Sequence, residues 1–239
     1  MRREYTKWFS PALSRDMELL SFGHAGARVL AFPTSMGRYF QWEDFGVIEA
    51  LGEQLEQGQL QLFCVDSVDE ESWYAKGRPP AERAARHNQY DAYLHDEVLP
   101  FTKTQNNNPY LIATGASFGA YHAINFAFRH PDVVDRALGM SGLYDIASFV
   151  DGYSDDAVYF NNPCAYIPNE HDPARVAALR HLDIILAIGR DDRACGNNEY
   201  LSGLLWSKDI WHALRIWDGW AHDWPWWRQM VQRYIGGHD

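Results

Sequence analysis

Gly115-Ala116-Ser117-Phe118-Gly119 is the most informative stretch of the sequence, because of the segments on either side of it. The apolar run Pro109-Tyr110-Leu111-Ile112-Ala113-Thr114 before it is typical of a strand, and the alanine-rich run 120–128 after it is typical of a buried helix. Strand, Gly-x-Ser-x-Gly and helix together indicate a nucleophile elbow, a tight turn that lifts a serine hydroxyl clear of a sheet. The two glycines are expected where backbone segments approach too closely for a Cβ. We therefore predict that Ser117 is a catalytic nucleophile; the alternative is a plain glycine-rich turn.

The composition is that of an ordinary soluble globular protein. The 239 residues are 46% hydrophobic and 22% charged, and they suffice for one domain with a large core. A net charge of −11 argues against nucleic-acid binding, which needs a basic surface along the phosphates, and it disfavours anionic membranes. No apolar run approaches the ~18 residues of a membrane span, and the N-terminus leads into no apolar signal segment. We expect a cytoplasmic protein that binds neither nucleic acids nor membranes.

The cysteines and histidines predict no metal site. The three cysteines form no C-x-x-C pair and cannot all pair with one another, so no disulfide framework is expected. Cys64 falls in a strand-like run and is expected in the core. There is no His-x-x-x-His pair of the kind that binds zinc from one helix face, so we expect neither a metal nor a cofactor.

Short apolar runs alternate with helical patterns along most of the chain. This alternation predicts a single domain, residues 1–239, with a mostly parallel eight-stranded sheet and helices on both faces. The first three strands are expected to form an antiparallel set, with the second and third joined by the turn Gly23–Gly26. Strands are predicted at Glu4–Ser10, Met17–Phe22, Arg28–Pro33, Leu60–Val65, Pro109–Thr114, Arg136–Ser141, Leu182–Gly189 and Ala213–Trp217. Helices are predicted at Trp42–Leu55, at Tyr90–Phe101 with a bend or end near Pro100, and at Trp226–Ile235.

Residues 144–173 have no clear place in this scheme. The segment contains several prolines and tyrosines and no regular period. We predict a small cap over the pocket; the alternative is a surface excursion.

A serine nucleophile needs a base, and the base needs an acid that orients it. His222 follows the last predicted strand by a short loop and precedes the last helix, which is the position expected for the base when the order is Ser, acid, His. A structural or surface histidine is the alternative. His212 lies before that strand, at its wrong end, and His238 lies one residue from the C-terminus.

The acid is expected at the carboxyl end of the strand that ends at Gly189. Asp191 and Asp192 both follow it. A Gly-x-x-Asp loop presents the second aspartate, so we favour Asp192 over Asp191, whose side chain would then be solvated or bonded within the turn. The predicted triad is Ser117, Asp192 and His222.

An oxyanion hole requires two backbone N–H groups. One is expected from Phe118, the residue after the nucleophile, and the other from the loop Pro33–Gly37 after the third strand. Ser35 is our choice in that loop, with Met36 as the alternative. Met36 is also expected to contact the substrate.

Three motifs resemble one family of α/β-hydrolases. They are the elbow Gly115–Ala120, the segment Tyr90-Asp91-Ala92-Tyr93-Leu94-His95-Asp96-Glu97-Val98-Leu99-Pro100-Phe101, and the ending Gly219-Trp220-Ala221-His222-Asp223-Trp224-Pro225-Trp226-Trp227, which is similar to a Gly-x-His-x-Trp-x-x-Trp motif. The family includes esterase D (S-formylglutathione hydrolase), the feruloyl esterases and the mycolyl-transferring antigen 85 proteins. The resemblance extends from about residue 28 onward. It implies the α/β-hydrolase fold and hydrolysis of esters or thioesters, or acyl transfer, without a cofactor. It also supports the triad Ser117, Asp192 and His222.

Seven of the ten tryptophans fall in the last 34 residues. We expect most of them to pack the last helix against the sheet and to shield the base. Trp220 is the expected exception, since it lies in the loop of His222 and could stack on a sugar or an aromatic acyl group.

The sequence thus predicts a serine hydrolase that acts on small-molecule carboxylic esters through an acyl-enzyme. An acyltransferase with the same triad is one alternative, because the two differ only in the acceptor and in the exclusion of water. A catalytically weak binding module on a hydrolase scaffold is the other, although such a protein has no need of an intact Ser, Asp and His.

Overall fold

The sheet has eight strands in the order β1-β2-β4-β3-β5-β6-β7-β8. The computed structural model describes residues 1–235, so His238 lies outside the described part of the chain. From β4 to β8 all neighbouring strands are parallel, whereas β1–β2 and β2–β4 are antiparallel. The predicted α/β-hydrolase fold is confirmed. The strands are β1 (Arg3–Ser10), β2 (Arg15–Phe22), β3 (Ala27–Phe32), β4 (Leu60–Val65), β5 (Leu111–Ala116), β6 (Arg136–Met140), β7 (Asp183–Gly189) and β8 (Ala213–Trp217).

The opening strands pair differently from the prediction. β2 pairs with β1 and β4, and β3 pairs with β4 and β5, so the predicted antiparallel pairing of β2 with β3 across Gly23–Gly26 is wrong. Every residue of β4 is buried, as is typical of a central strand covered on both faces. β4 takes the place between β2 and β3, and the Ala27 amide at the start of β3 donates to the carbonyl of Gln59 just before β4 (2.9 Å).

Helices cover both faces of the sheet, and several of them differ in length from the prediction. The region Trp42–Leu55 holds three short helices instead of one, because Gly46 takes a left-handed φ of 72° that interrupts the helix. The helix predicted at Tyr90 begins at Pro80 and continues through Pro100, with a π turn (Leu94–Val98) just before the proline, which lacks the N–H of a regular helix bond. The helices are α1 (Gln41–Asp44), α2 (Val47–Ala50), α3 (Gly52–Glu56), α4 (Pro80–Tyr93), α5 (Leu99–Gln105), α6 (Phe118–Arg129), α7 (Asp156–Tyr159), α8 (Pro163–Tyr166), α9 (Pro173–His181), α10 (Cys195–Trp206) and α11 (Trp224–Tyr234).

The core is divided by the sheet into two layers. Along β3, Leu30 and Phe32 face one layer, while Val29 and Ala31 face the other, as the two-residue period of a strand requires. The first layer is closed by α4, α6 and α10, and the second by α1 to α3 and α11. The ends of β3, β5, β6 and β7 are therefore fixed between two packed layers.

Residues 144–173 fold into short helices that pack beside α4 and α6. Ile146, Val150 and Val158 are buried against Phe118 and Tyr121 of α6. The buried Arg83 of α4 donates to the carbonyl of Phe149 (2.5 Å), which ties the segment to the rest of the domain. That the segment forms a cap over the pocket stays a prediction.

Candidate active site

Ser117 occupies a strained turn between β5 and α6. Its φ of 55° and ψ of −122° are unusual for a residue with a side chain, and its N–H donates to the carbonyl of Met140 at the end of β6 (2.8 Å). A Cβ on Gly115 would lie 2.2 Å from the carbonyl oxygen of Gly119, and a Cβ on Gly119 would lie 2.3 Å from that of Pro33. Both glycines are thus required by close backbone contacts, as the sequence predicts.

Ser117, His222 and Asp192 form a hydrogen-bonded chain, although they come from three different strand ends. His222 Nε2 lies 3.1 Å from Ser117 Oγ, and His222 Nδ1 lies 2.6 Å from Asp192 Oδ2. The tautomer that satisfies both contacts carries its proton on Nδ1, which donates to Asp192, and leaves Nε2 to accept the serine proton. The arrangement can deprotonate Ser117 as it attacks an electrophile.

The two candidate aspartates have different surroundings. Asp192 is 7% exposed, and its second carboxylate oxygen accepts from the amide of Ala194 (2.9 Å). The side chain of Asp191 is exposed, while its amide donates to the carbonyl of Gly219 in the loop that carries His222 (3.0 Å). The structure therefore brings Asp192, and not Asp191, to the imidazole.

The loop of His222 is held by a buried relay. Trp227 Nε1 donates to Ser141 Oγ (3.0 Å), and Ser141 Oγ donates to the carbonyl of Ala221 (2.9 Å). Ala221 has a left-handed φ of 42°, which a residue with a side chain keeps only when its surroundings fix it. Ser141 also has a positive φ, 53°, and its amide donates to Ala187 of β7. The relay thus joins the base to the ends of β6 and β7.

The loop after β3 brings Ser35 and Met36 to the same end of the sheet. Three of its main-chain amides donate hydrogen bonds within the protein. Thr34 N–H donates to Gln41 Oε1 (2.8 Å), Met36 N–H to Asp69 Oδ2 (2.9 Å), and Gly37 N–H to the carbonyl of Thr34 (2.9 Å). Within residues 1–235 the amide of Ser35 has no protein partner, and neither does that of Phe118.

The side chain of Ser35 is also held. Tyr74 Oη donates to Ser35 Oγ (2.8 Å), and burial raises the pKa of Tyr74 above its usual 10.0, which keeps the hydroxyl protonated at neutral pH. The ring of Tyr74 packs edge-on against Phe118 and Phe149.

A cavity of about 550 Å³ opens beside the imidazole. Trp220, whose surface is 56% exposed, stacks on the ring of His222 with 5.4 Å between centroids. Met36 is 47% exposed and lines a separate, more polar recess together with Asp69. The residues that line the larger cavity are Leu143, Asp192, Arg193, Ala194, Trp220 and His222.

The C-terminal tryptophans differ in their exposure. Trp227 is buried, and Trp217 and Trp224 pack against the core from its edge. That packing accounts for most of the group stays a prediction, since Trp226 also packs edge-on against Trp217. The other four tryptophans are each more than a third exposed. They are Trp206, Trp211, Trp220 and Trp226. Two of these pack against each other: Trp206 at the end of α10 and Trp211 on the connection from α10 to β8.

Among residues 1–235, no group of three or more His, Cys, Asp or Glu side chains is arranged to hold a metal ion. In the same part of the chain, no helix is long and apolar enough to cross a bilayer.

Sequence reasoning missed Ser141 and Trp227, which hold the loop of His222. It also missed the buried pair Asp69 and His122, whose carboxylate accepts from the Met36 amide. His122 lies on an apolar helix, where a lone histidine is typical of the core. Ser141 gives no sequence signal, since its role depends on a positive φ and on a partner 80 residues away. Trp227 belongs to the tryptophan-rich ending, but the sequence did not indicate what its indole N–H contacts.

The model of the family described as "Putative esterase" matches residues 41–233. A search of curated proteins finds no match. Among solved structures, a ferulic acid esterase superposes with a TM-score of 0.76 at 17% identity, covering 98% of this chain and 96% of that one. S-formylglutathione hydrolase from Staphylococcus aureus gives 0.70 at 14% identity, covering 98% and 96%. MPT51 from Mycobacterium tuberculosis gives 0.67 at 16% identity, covering 99% and 97%.

Proposed function

The chain belongs to this esterase family, and we propose that it hydrolyses carboxylic esters through a covalent acyl-enzyme, with Ser117, His222 and Asp192 as its catalytic triad. The observation that carries the proposal is the continuous hydrogen-bonded chain from Ser117 Oγ through His222 to Asp192. A serine hydroxyl bonded to the free nitrogen of an imidazole that is itself oriented by a carboxylate has the geometry of an activated nucleophile.

In the first half of the reaction, Ser117 Oγ attacks the ester carbonyl carbon while His222 Nε2 accepts the hydroxyl proton. The resulting imidazolium is stabilised by the buried carboxylate of Asp192. When the tetrahedral intermediate collapses, the C–O bond to the alcohol breaks and His222 returns its proton to the departing alkoxide. The alcohol leaves, and the acyl group remains on Ser117.

In the second half, a water molecule takes the place of the alcohol. His222 accepts one of its protons as the oxygen attacks the acyl carbon, and it then returns that proton to Ser117 Oγ as the acyl bond breaks. A carboxylic acid is released, and the enzyme regains its starting state.

The negative oxygen of each tetrahedral intermediate needs donors that are already in place. We propose the amides of Ser35 and Phe118 for this role, because neither has a protein partner within residues 1–235. The Met36 amide, our alternative in the sequence, is engaged by Asp69, which favours Ser35.

Hydrolysis is favoured over acyl transfer by the openness of the site. The side chain of His222 is 25% exposed, and Trp220 beside it is more than half exposed, so water can reach the acyl-enzyme. An acyltransferase protects its intermediate from water. Product analysis with an added alcohol separates the two: hydrolysis yields mainly the free acid, whereas transfer yields mainly the new ester.

The experiment is a panel of p-nitrophenyl esters of rising chain length, run beside acetylated and feruloylated sugars and a thioester. Ser117→Ala should abolish turnover. Ser202→Ala is the matched control, because Ser202 also contacts a histidine: its Oγ lies 2.6 Å from His212 Nε2. His212 Nδ1, however, contacts the carbonyl of Ile210 and not a carboxylate, so this serine lacks the third member of a triad. Full activity in Ser202→Ala and none in Ser117→Ala supports the proposal. Activity that survives in Ser117→Ala, or no turnover of any ester, contradicts it.

A further inference from the structure

Asp69 and His122 form a buried pair that the proposed reaction does not use. Their side chains are 0% and 1% exposed, and His122 Nε2 lies 2.8 Å from Asp69 Oδ1. The other carboxylate oxygen, Oδ2, accepts from the amide of Met36 at 2.9 Å. A buried carboxylate is stable only when donors satisfy it, and here one donor is a side chain and the other is the main chain of a loop.

The pair connects the two segments that carry the proposed oxyanion donors. His122 lies on α6 one turn after Phe118, and the two rings pack edge-on with 5.0 Å between centroids. Met36 directly follows Ser35 in the loop after β3. Asp69 comes from a third segment, between β4 and α4, and bridges the other two.

Asp69 accepts from the amide of Met36, whose backbone is strained. Met36 has a left-handed φ of 53°, at the third position of a turn closed by the bond from Gly37 N–H to the carbonyl of Thr34. That position favours glycine, so a residue with a side chain there is strained. A charged acceptor on the Met36 amide offsets this strain, because hydrogen bonds to charged groups are the stronger ones.

We propose that Asp69 and His122 are positioning residues: they hold the Ser35–Met36 turn against α6, so that the Ser35 amide stays unpaired and set for the oxyanion next to that of Phe118. His122 fixes the carboxylate, and the carboxylate fixes the loop. The inference rests on the proposed function, since it concerns how the donors of that reaction are held.

Donors of this kind act mainly in the transition state. Their displacement should lower kcat and leave KM almost unchanged, because the ester carbonyl of the ground state binds them weakly. A variant that merely folds less well behaves differently: fewer active sites are titrated, but each one keeps the same kcat.

The variants are chosen to change the hydrogen bonds with little change in volume. Asp69→Asn leaves one oxygen for two donors. His122→Phe keeps a ring but removes the donor, whereas His122→Gln places an amide nitrogen near the position of Nε2 and should retain the contact. Asp91→Asn is the matched control, because Asp91 is also a buried aspartate paired with a histidine, His130 (3.1 Å), at the opposite end of α6.

The measurement is kcat and KM for a p-nitrophenyl ester, expressed per active site titrated with a fluorophosphonate. We expect kcat per site to fall at least about tenfold in Asp69→Asn and His122→Phe, with KM within about threefold. His122→Gln and Asp91→Asn should stay within about threefold of the natural enzyme in both constants.

Equal losses in His122→Phe and His122→Gln, or unchanged turnover per site in Asp69→Asn, would overturn the proposal. So would the failure of all three dyad variants to fold, since the pair would then determine stability and not the loop. An inactive natural enzyme refutes the proposed function itself, which keeps the two failures distinct.

Discussion

At the scale of single residues, Asp191 and Asp192 allow a sharp comparison. They are adjacent in sequence, yet only Asp192 contacts His222. Asparagine at position 192 cannot accept from Nδ1–H through its amide nitrogen and favours the wrong tautomer, so Asp192→Asn should lower kcat by about 10⁴. Asp191→Asn should keep kcat within roughly tenfold. Steady-state kinetics of the two variants check this, and the reverse order of losses would move the acid to Asp191.

Trp220 offers a second prediction at this scale. Its indole is exposed and lies flat on His222, so we expect it to contact the acyl or alcohol group of a bulky ester. Trp220→Ala should raise KM for aromatic or sugar esters several-fold and leave acetate esters nearly unchanged, with little change in Tm. Trp211→Ala is the control, because Trp211 is 73% exposed and does not line the cavity. A drop in Tm with equal losses on every ester would instead indicate a packing role.

At the scale of elements, strand ends and the loops between them carry the candidate site. The loop after β8 is linked to β6 through Ser141. Its hydroxyl accepts from Trp227 Nε1 and donates to the carbonyl of Ala221. Ser141→Ala leaves a buried N–H and a buried carbonyl without partners, so we expect the free energy of unfolding to fall by about 1–3 kcal/mol. Displacement of the base should also lower kcat by tenfold to roughly a hundredfold.

Denaturant unfolding and kinetics per titrated site measure these two effects of Ser141→Ala. Ser207→Ala provides the comparison, since Ser207 is exposed and bonds only the carbonyl of Leu204; its free energy of unfolding should change by no more than about 0.5 kcal/mol. If Ser141→Ala loses stability but keeps full kcat, the relay does not hold the base.

The elements themselves differ in how far the sequence predicts them. Strands such as β5 and β7 follow from apolar runs bounded by turn residues, and the elbow follows from two glycines that no other residue can replace. The pairing of β2 with β4 does not follow, because β3 and three helices separate these strands in the sequence and no local turn links them. The helix break at Gly46 does not follow from the sequence either, since a glycine can continue a helix or break it.

At the scale of the whole molecule, buried histidines predict how stability depends on pH. Burial, together with repulsion from His122 and Arg129, holds the pKa of His87 well below 6.5. Burial also lowers the pKa of His212. Below pH 6.5 the unfolded chain therefore binds protons that the folded protein does not, and the free energy of unfolding decreases as pH falls from about 6.5 toward the folded pKa.

Each such histidine contributes a slope of up to about 1.4 kcal/mol per pH unit in that window. Urea unfolding between pH 7 and pH 5 should show this loss of stability, and His87→Phe should reduce its slope, whatever the variant does to stability at pH 7. An identical slope in the variant would mean that His87 takes up its proton in the folded state.

Only part of the candidate site could be predicted from the sequence. Ser117, Asp192 and His222 could be predicted because each follows a strand that the apolar pattern identifies, and parallel strands end at one edge of the sheet. Asp69 and His122 could not, since a carboxylate 53 residues from its histidine becomes a partner only when three segments meet. Contacts that cross the fold without a motif are visible only in three dimensions.

The role of Ser117 as nucleophile is tested most directly by covalent labelling with a fluorophosphonate, located by peptide mass spectrometry. A triad with an oxyanion hole stabilises the phosphorus adduct as it does the acyl intermediate. We expect one adduct per chain, carried by Ser117, absent from Ser117→Ala and unchanged in Ser202→Ala. An adduct on any other residue, or labelling that persists in Ser117→Ala, would contradict it.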